Sequence, residues 1–231
     1  MDMDGQMRAA EESDEAARKR LREIVREGYN TISHAYRSDA SRSNEATDES
    51  TAQYQGWVDE LAPMLEPGSK ILDLGCGNGL PGTMQLVEAG FDVTGLDFSV
   101  AQIERARTLV PRATFIEADM ATWDCAPGSF DAIVSFYAMI HVPLDDQRVL
   151  LLRIRRWLRP NGLLLAIVGH GRYTGFEEYL GAPMFWEHAD TAAYLDWLAE
   201  AGLVPAWDRF IPEGKSGHSL ILARVAANSP S

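Results

Sequence analysis

The 231-residue chain is short of positive charge: 21 Lys and Arg stand against 34 Asp and Glu, a formal net charge of −13. Such a surface repels phosphate backbones and anionic headgroups, so nucleic acid and membrane surfaces are not the expected partners. Cysteine is equally scarce. Cys76 and Cys125 give neither a disulfide framework nor metal-ligand spacing, which suits a reducing cytosol. No apolar run approaches the roughly 20 residues that a membrane helix needs. The opening MDMDGQMRAAEESDEAARKR lacks the basic end and apolar stretch of a signal peptide. A cytoplasmic location is therefore expected. One basic cluster, Arg153, Arg155, Arg156 and Arg159, reads as the solvated face of a helix.

What the chain does have is apolar content, 46%, and a length that fits one α/β domain. Residues 1–12 read as a disordered tail, followed by a helix starting at Ser13, whose hydroxyl can cap free amides. Ala17, Leu21, Ile24 and Val25 give that helix one apolar face. Ser38 to Ser50 reads as a loop. A second helix runs through Tyr54, Trp57, Val58 and Leu61 and ends near Pro63 to Gly68. From Lys70 onwards, short apolar runs alternate with helices. The strands are KILDLG, FDVTGLD, ATFIEAD, FDAIVSFYAMI and GLLLAIV. The helices are Pro81–Ala89, Val100–Leu109 and Leu144–Leu158, and a further helix over Asp190–Ala201 follows a long loop. Continuous apolar strands between helices imply a parallel sheet covered on both faces. VPAWDRFI and HSLILARV, joined by the short Pro212–Gly217 connection, must pair antiparallel. The expectation is a Rossmann-like, doubly wound, mostly parallel seven-stranded sheet with a C-terminal antiparallel hairpin. Residues 13–231 form a single domain, with 13–66 as a helical cover and 67–231 as the α/β core.

Ile71-Leu72-Asp73-Leu74-Gly75-Cys76-Gly77-Asn78-Gly79 carries the functional argument. A strand ends in a glycine turn and feeds a helix, and ligands bind at such strand ends in open α/β sheets. Gly77, Gly79 and Gly82 also fit a dinucleotide pattern, with Asp97 where a ribose-binding acid belongs. Two features favour another ligand. The first glycine after the strand is Gly75, so the dinucleotide frame starts late. Asp73 would repel a pyrophosphate at the strand end but would welcome a cationic group.

DLGCGNG resembles the first motif of class I S-adenosylmethionine-dependent methyltransferases, GLDFS their second and EADM their third. The likeness runs from about Gly28 to Val225. It implies that Gly75, Cys76 and Gly77 hold the methionine end of S-adenosyl-L-methionine, with Asp73 supplying negative charge. It further implies that Asp97 accepts from both ribose hydroxyls, Phe98 lies on the adenine, Asp119 accepts from the adenine amino group and the Met120 amide donates to the ring. Ser135 is assigned to the same site. The resemblance also lays the YNTISHAY segment over the cofactor, with Tyr36 on the cofactor and Tyr29 and His34 towards the substrate. A blander reading makes Asp97 and Asp119 helix caps.

The implied reaction is in-line displacement at the sulfonium methyl, in which position counts most. A base would help an oxygen or nitrogen nucleophile, and His141, after the fourth strand, is the candidate. Residues 171–190 hold five aromatics, Tyr173, Phe176, Tyr179, Phe185 and Trp186. That much apolar surface in a loop implies packing over something, and Trp186 and His188 become candidate substrate contacts. The expected function is methyl transfer at O, N or C of a small, partly apolar molecule. The alternatives are a cofactor-binding protein or non-methylating catalyst, and a nicotinamide-dependent oxidoreductase. Substrate identity and oligomeric state are not legible in the sequence.

Overall fold

The computed structural model describes residues 3–39 and 49–226. Helix α1 covers Met3–Tyr36 and α2 Glu49–Leu61. Then follow β1 (Lys70–Leu74), α3 (Gly82–Glu88), β2 (Asp92–Asp97), α4 (Val100–Leu109), β3 (Thr114–Glu117) and β4 (Phe130–Ser135). The chain continues with α5 (Leu144–Trp157), β5 (Leu158–Gly169), β6 (Tyr173–Tyr179), β7 (Ala182–His188), α6 (Thr191–Glu200), β8 (Leu203–Glu213) and β9 (Ser216–Val225).

Seven strands form one sheet in the order β3-β2-β1-β4-β5-β9-β8. β1 to β5 run parallel, while β9 is antiparallel to both β5 and β8. Side chains on a strand alternate between faces, and the core divides accordingly. Ile71, Val93, Ala132, Val134, Leu163 and Leu165 pack with α2, α3 and α4. Leu72, Leu74, Leu96, Ile133, Leu164 and Ala166 pack with α5 and α6. The chain reverses its winding direction between β1 and β4, which opens a crevice at their carboxyl ends.

Two expectations about local structure fail. The first helix begins at Met3, so residues 3–12 are helical and Ser13 is an interior residue rather than a cap. The run Ala9-Ala10-Glu11-Glu12 favours helix strongly enough to carry it past the serine. The long loop over 171–190 is instead the hairpin β6–β7, closed by Leu180 and Gly181 at φ 52° and 86°. Positive φ at both turn residues matches the twist of a two-residue hairpin. The hairpin supports α1: Val25 and Ile32 pack with Ala182, Met184 and Phe185. The loop read over Ser38–Ser50 falls mostly outside the described residues.

Two of the four arginines on and after α5 are neutralised locally. Arg156 pairs with Asp124, Arg159 with Asp131, and Arg153 donates to the Ala121 carbonyl. Among the described residues, no helix is long and apolar enough to cross a membrane.

Trp157 shows how tightly the α5 face is packed. Its ring is fully buried, stands edge-on to Trp123 at 5.1 Å and donates from Nε1 to Asp124 at 2.7 Å. Trp157→Ala should cost about 3–5 kcal/mol of stability, read by urea denaturation. A loss under about 1 kcal/mol would show that the surrounding residues collapse into the gap.

Candidate functional site

A cavity of about 830 Å³ opens at the carboxyl ends of β1, β2 and β4 and is roofed by α1. The glycine loop after β1 forms its floor. Gly75 and Cys76 both donate their amides to the Leu96 carbonyl, at 2.7 and 3.1 Å, which folds the loop towards β2. Gly75 sits at φ 75°, and a Cβ there would lie 2.1 Å from the Ala138 Cβ. The loop thus passes the turn after β4 with no room for a side chain. Cys76, nearly buried, lines the cavity beside it.

Two acids stand at this floor with little water around them. Asp73 accepts from Thr83 Oγ1 at 2.6 Å. Burial raises its carboxyl to about 7, against the opposing Thr83 hydrogen bond and with a further push from Asp97. Asp97 accepts the Gly77 amide at 2.9 Å on one oxygen and the Ser99 amide at 2.9 Å on the other. Burial still raises it to about 6, because it outweighs those backbone bonds. The cap of α4 is Ser99 itself, whose Oγ accepts from Gln102. Asp97 therefore ties two loops together, and each of its oxygens retains a further lone pair. Among the described residues, no Lys or Arg forms an ion pair with either acid.

The far end of the cavity holds Phe98, Ala118, Asp119 and Met120. Asp119 accepts the Ala121 amide at 2.9 Å and Arg22 Nε at 2.8 Å. Arg22, 4% exposed, also pairs with Asp146 at the start of α5, so it pins α1 to the body. Neither Arg22 nor Arg37 is marked by a motif in the sequence. Arg37 lines the opposite end, stacked over the rings of Tyr36 and Tyr54 at 5.3 and 5.4 Å. It has no carboxylate partner among the described residues.

His141, in a 3₁₀ turn over Met139–His141, forms part of the wall. Its Nδ1 lies 2.8 Å from the Phe185 carbonyl, which can only accept, so Nδ1 carries the proton. Nε2 then accepts the hydroxyl of Tyr29 at 2.9 Å. Burial pulls the imidazole down to about 4, so it is neutral at physiological pH. Burial also lifts the Tyr29 phenol well above its ordinary value. Tyr29 and Tyr36 both line the cavity, with ring centroids 5.2 Å apart.

The structure brings Tyr29, Tyr36, Asp73, Gly75, Cys76, Gly77, Asp97, Phe98, Asp119, Met120 and His141 to one cavity. Other candidates stand apart from it. Ser135 is buried and donates to the Leu74 carbonyl at 3.1 Å, stitching β4 to β1. His34 is exposed on the outer side of α1. His188 bonds the Gly171 carbonyl at 2.6 Å through Nδ1 and lies outside the lining. Trp186 backs the wall from behind, its ring 5.1 Å from that of His141.

Doubly wound topology and a glycine-floored crevice with acids on successive strands define a Rossmann-like domain that binds a small organic ligand. Residues 71–162 match the family model described as "Methyltransferase domain". The chain is 36% identical over 104 residues to 2-methyl-6-phytyl-1,4-hydroquinone methyltransferase of Synechocystis sp., covering 44% of this chain and 32% of that one. It is 32% identical over 141 residues to 27-O-demethylrifamycin SV methyltransferase of Amycolatopsis mediterranei, covering 58% and 49%. The chain thus spans less than two thirds of the length of these curated relatives. Among solved structures, 1,6-didemethyltoxoflavin-N1-methyltransferase of Burkholderia thailandensis superposes with a TM-score of 0.67 at 20% identity, over 93% of this chain and 90% of that one. Magnesium protoporphyrin IX methyltransferase of Synechocystis gives 0.68 at 18% identity, over 89% and 97%. At such identity these structures show a shared fold. Residues 71–162 thus match a methyltransferase domain, and the chain shares its fold with solved methyltransferases.

The residues present fit S-adenosylmethionine. Buried acids lacking a cationic partner suit a ligand that carries ammonium and sulfonium charge, and would reject a pyrophosphate.

Proposed function

We propose that the protein transfers a methyl group from S-adenosyl-L-methionine to a small, partly apolar molecule. The observation that carries this reading is the pair Asp73 and Asp97, both buried and held well above the usual carboxylate range. A cationic ligand would relieve the strain of ionising them. Asp97 would take the ribose hydroxyls on its remaining lone pairs, Phe98 would lie on the adenine, and Asp119 and the Met120 amide would meet its edge. Arg37, which lines the cavity, would meet the methionine carboxylate.

When bound, S-adenosylmethionine supplies an electrophilic methyl group on a positively charged sulfur. The chain supplies position. His141 keeps its proton on Nδ1 and fixes the Tyr29 hydroxyl, so the oxygen of Tyr29 presents its lone pairs to the cavity. His141 acts through Tyr29 as a positioning residue. Aromatic walls and the α1 roof exclude water from the reacting atoms. The acidic surface, the free thiols of Cys76 and Cys125 and the cavity's size support a cytoplasmic, small-molecule role without nucleic acid or membrane. Residues 13–231 would act as one unit.

Titration calorimetry of the full chain with S-adenosylmethionine, S-adenosylhomocysteine and NAD tests the cofactor. The first two should bind and NAD should not; NAD binding without S-adenosylmethionine binding would overturn the reading. Release of S-adenosylhomocysteine in the presence of an acceptor separates a catalyst from a mere binder.

A further inference from the structure

A nucleophile that carries a proton must hand it to something, and His141 cannot take it directly. Both its nitrogens are engaged, and burial makes it a weak base. A second imidazole stands at the same edge of the sheet. β9 pairs His218 with Gly169 at the carboxyl end of β5 and, on its other side, with Ile211 of β8. The β8–β9 hairpin therefore turns back where β1, β2 and β4 end.

Glu213, the last residue of β8, places Oε1 3.2 Å from His218 Nδ1. That Nδ1 is buried and has no well-aligned hydrogen-bond partner among the described residues. Burial alone would raise the Glu213 carboxyl, but contacts with His218 and Tyr137 hold it below its ordinary value. The His218 ring stands edge-on to Tyr137, centroids 5.4 Å apart, and Tyr137 lines the cavity. Tyr137 is held at φ 59°, a conformation costly for a bulky side chain and typical of functional sites. Nε2 of His218 makes no hydrogen bond among the described residues, and its side chain remains 17% exposed. The other imidazoles have no such arrangement: His188 bonds a backbone carbonyl, His170 bonds Ser219 and His34 faces outwards.

A carboxylate behind one imidazole nitrogen and a free second nitrogen is the arrangement of an oriented base. We infer that Glu213 and His218 form the proton-accepting pair of the acceptor site, and that the acceptor is a phenolic hydroxyl on a planar molecule. The inference rests on the methyl-transfer reading. Chemistry selects the phenol. Phenols lose a proton near pH 10, within reach of an imidazole as the oxygen–methyl bond forms, whereas aliphatic alcohols hold theirs far more tightly. A neutral amine can shed its proton after transfer and needs no base. The rings of Tyr36, Phe136 and Tyr137 line the cavity and suit a flat partner. In the step, an oxygen lone pair forms the new bond to carbon, and the carbon–sulfur bond breaks with its electron pair staying on sulfur. The hydroxyl proton passes to His218 Nε2, and Glu213 balances the imidazolium.

The test uses the full chain with S-adenosylmethionine and three probe acceptors, catechol, hydroquinone and 1-naphthol, read by release of S-adenosylhomocysteine. The titratable groups around His218 are Glu213 from β8, Tyr137 after β4 and His188 from β7, and His141 is near enough to feel its charge. Wild type should methylate at least one probe, with kcat rising with pH. His218→Gln should lower kcat roughly 10²–10⁴-fold and recover at high pH, where the phenol ionises unaided. Glu213→Gln should lower kcat less, with a shifted pH profile. Both variants should bind S-adenosylhomocysteine as wild type does. Equal kcat in His218→Gln, or a wild type that binds S-adenosylhomocysteine yet methylates none of the probes, would overturn the inference. A wild type that fails to bind S-adenosylhomocysteine would instead overturn the cofactor reading beneath it.

Discussion

Gly75→Ala should leave a folded chain that binds S-adenosylmethionine at least a hundredfold more weakly. Gly75 sits in the left-handed region, where a Cβ costs roughly 1–2 kcal/mol. The added carbon would also stand 2.1 Å from the Ala138 Cβ, a separation that no packed pair tolerates. The loop cannot rotate away cheaply, because the amides of Gly75, Cys76 and Gly77 are all bonded to β2 residues. Relief must come from the turn that leads to His141, so floor and wall of the cavity are disturbed together. Calorimetry reads the affinity and thermal melting the fold. Binding within fivefold of wild type would show that the glycine is a feature of the turn alone.

Asp97→Ala should weaken cofactor binding roughly ten- to a hundredfold, the loss of charge-assisted bonds worth about 1.5–3 kcal/mol. A pH dependence accompanies it. Asp97 is held at about 6 and Asp73 at about 7, both above their values in an unfolded chain. A raised carboxyl contributes stability that is complete below about pH 4, its unfolded value, and is lost as pH rises through the folded value. The ligand-free protein should therefore lose stability from this pair as pH rises through 6 and 7. A cationic ligand has the opposite preference, since it favours both ionised acids. S-adenosylmethionine affinity should rise over the same interval and flatten above it. A profile flat from pH 5 to 8 would remove Asp73 and Asp97 from the binding site. In Asp97→Ala the rise should persist near 7, carried by Asp73.

The parallel core was legible because its strands are continuous apolar runs, a pattern that only a doubly covered sheet explains. The cavity acids were legible because a strand end fixes where its last side chain points. The hairpin over 173–188 was not. Its aromatics lack strict alternation, and its turn is made by Leu180 and Gly181, a pair without the usual turn signature. Ser135, also expected at the cofactor, instead turns its hydroxyl to the Leu74 carbonyl. The role of His141 depends on which groups meet its two nitrogens. Those come from Tyr29 and Phe185, 112 and 44 residues away, at distances that no local pattern encodes. Arg37 and His218 escaped notice for the same reason: each acquires meaning from partners that the fold supplies.

The topology divides labour along the chain. The segment matching the methyltransferase-domain model, residues 71–162, contains the glycine loop and the three acids. Of the two hairpins that follow, β6–β7 props α1 and the His141 turn from behind, and β8–β9 completes the sheet. β6–β7 forms a separate two-stranded sheet, whereas β9 is an inner strand and β8 an edge strand of the main sheet. β6–β7 pairs with no strand of the main sheet, so exchanging it would leave the ladder of β1, β2 and β4 intact. A chimaera carrying foreign sequence over 173–188 should keep the main sheet while altering the support of the α1 roof and of His141.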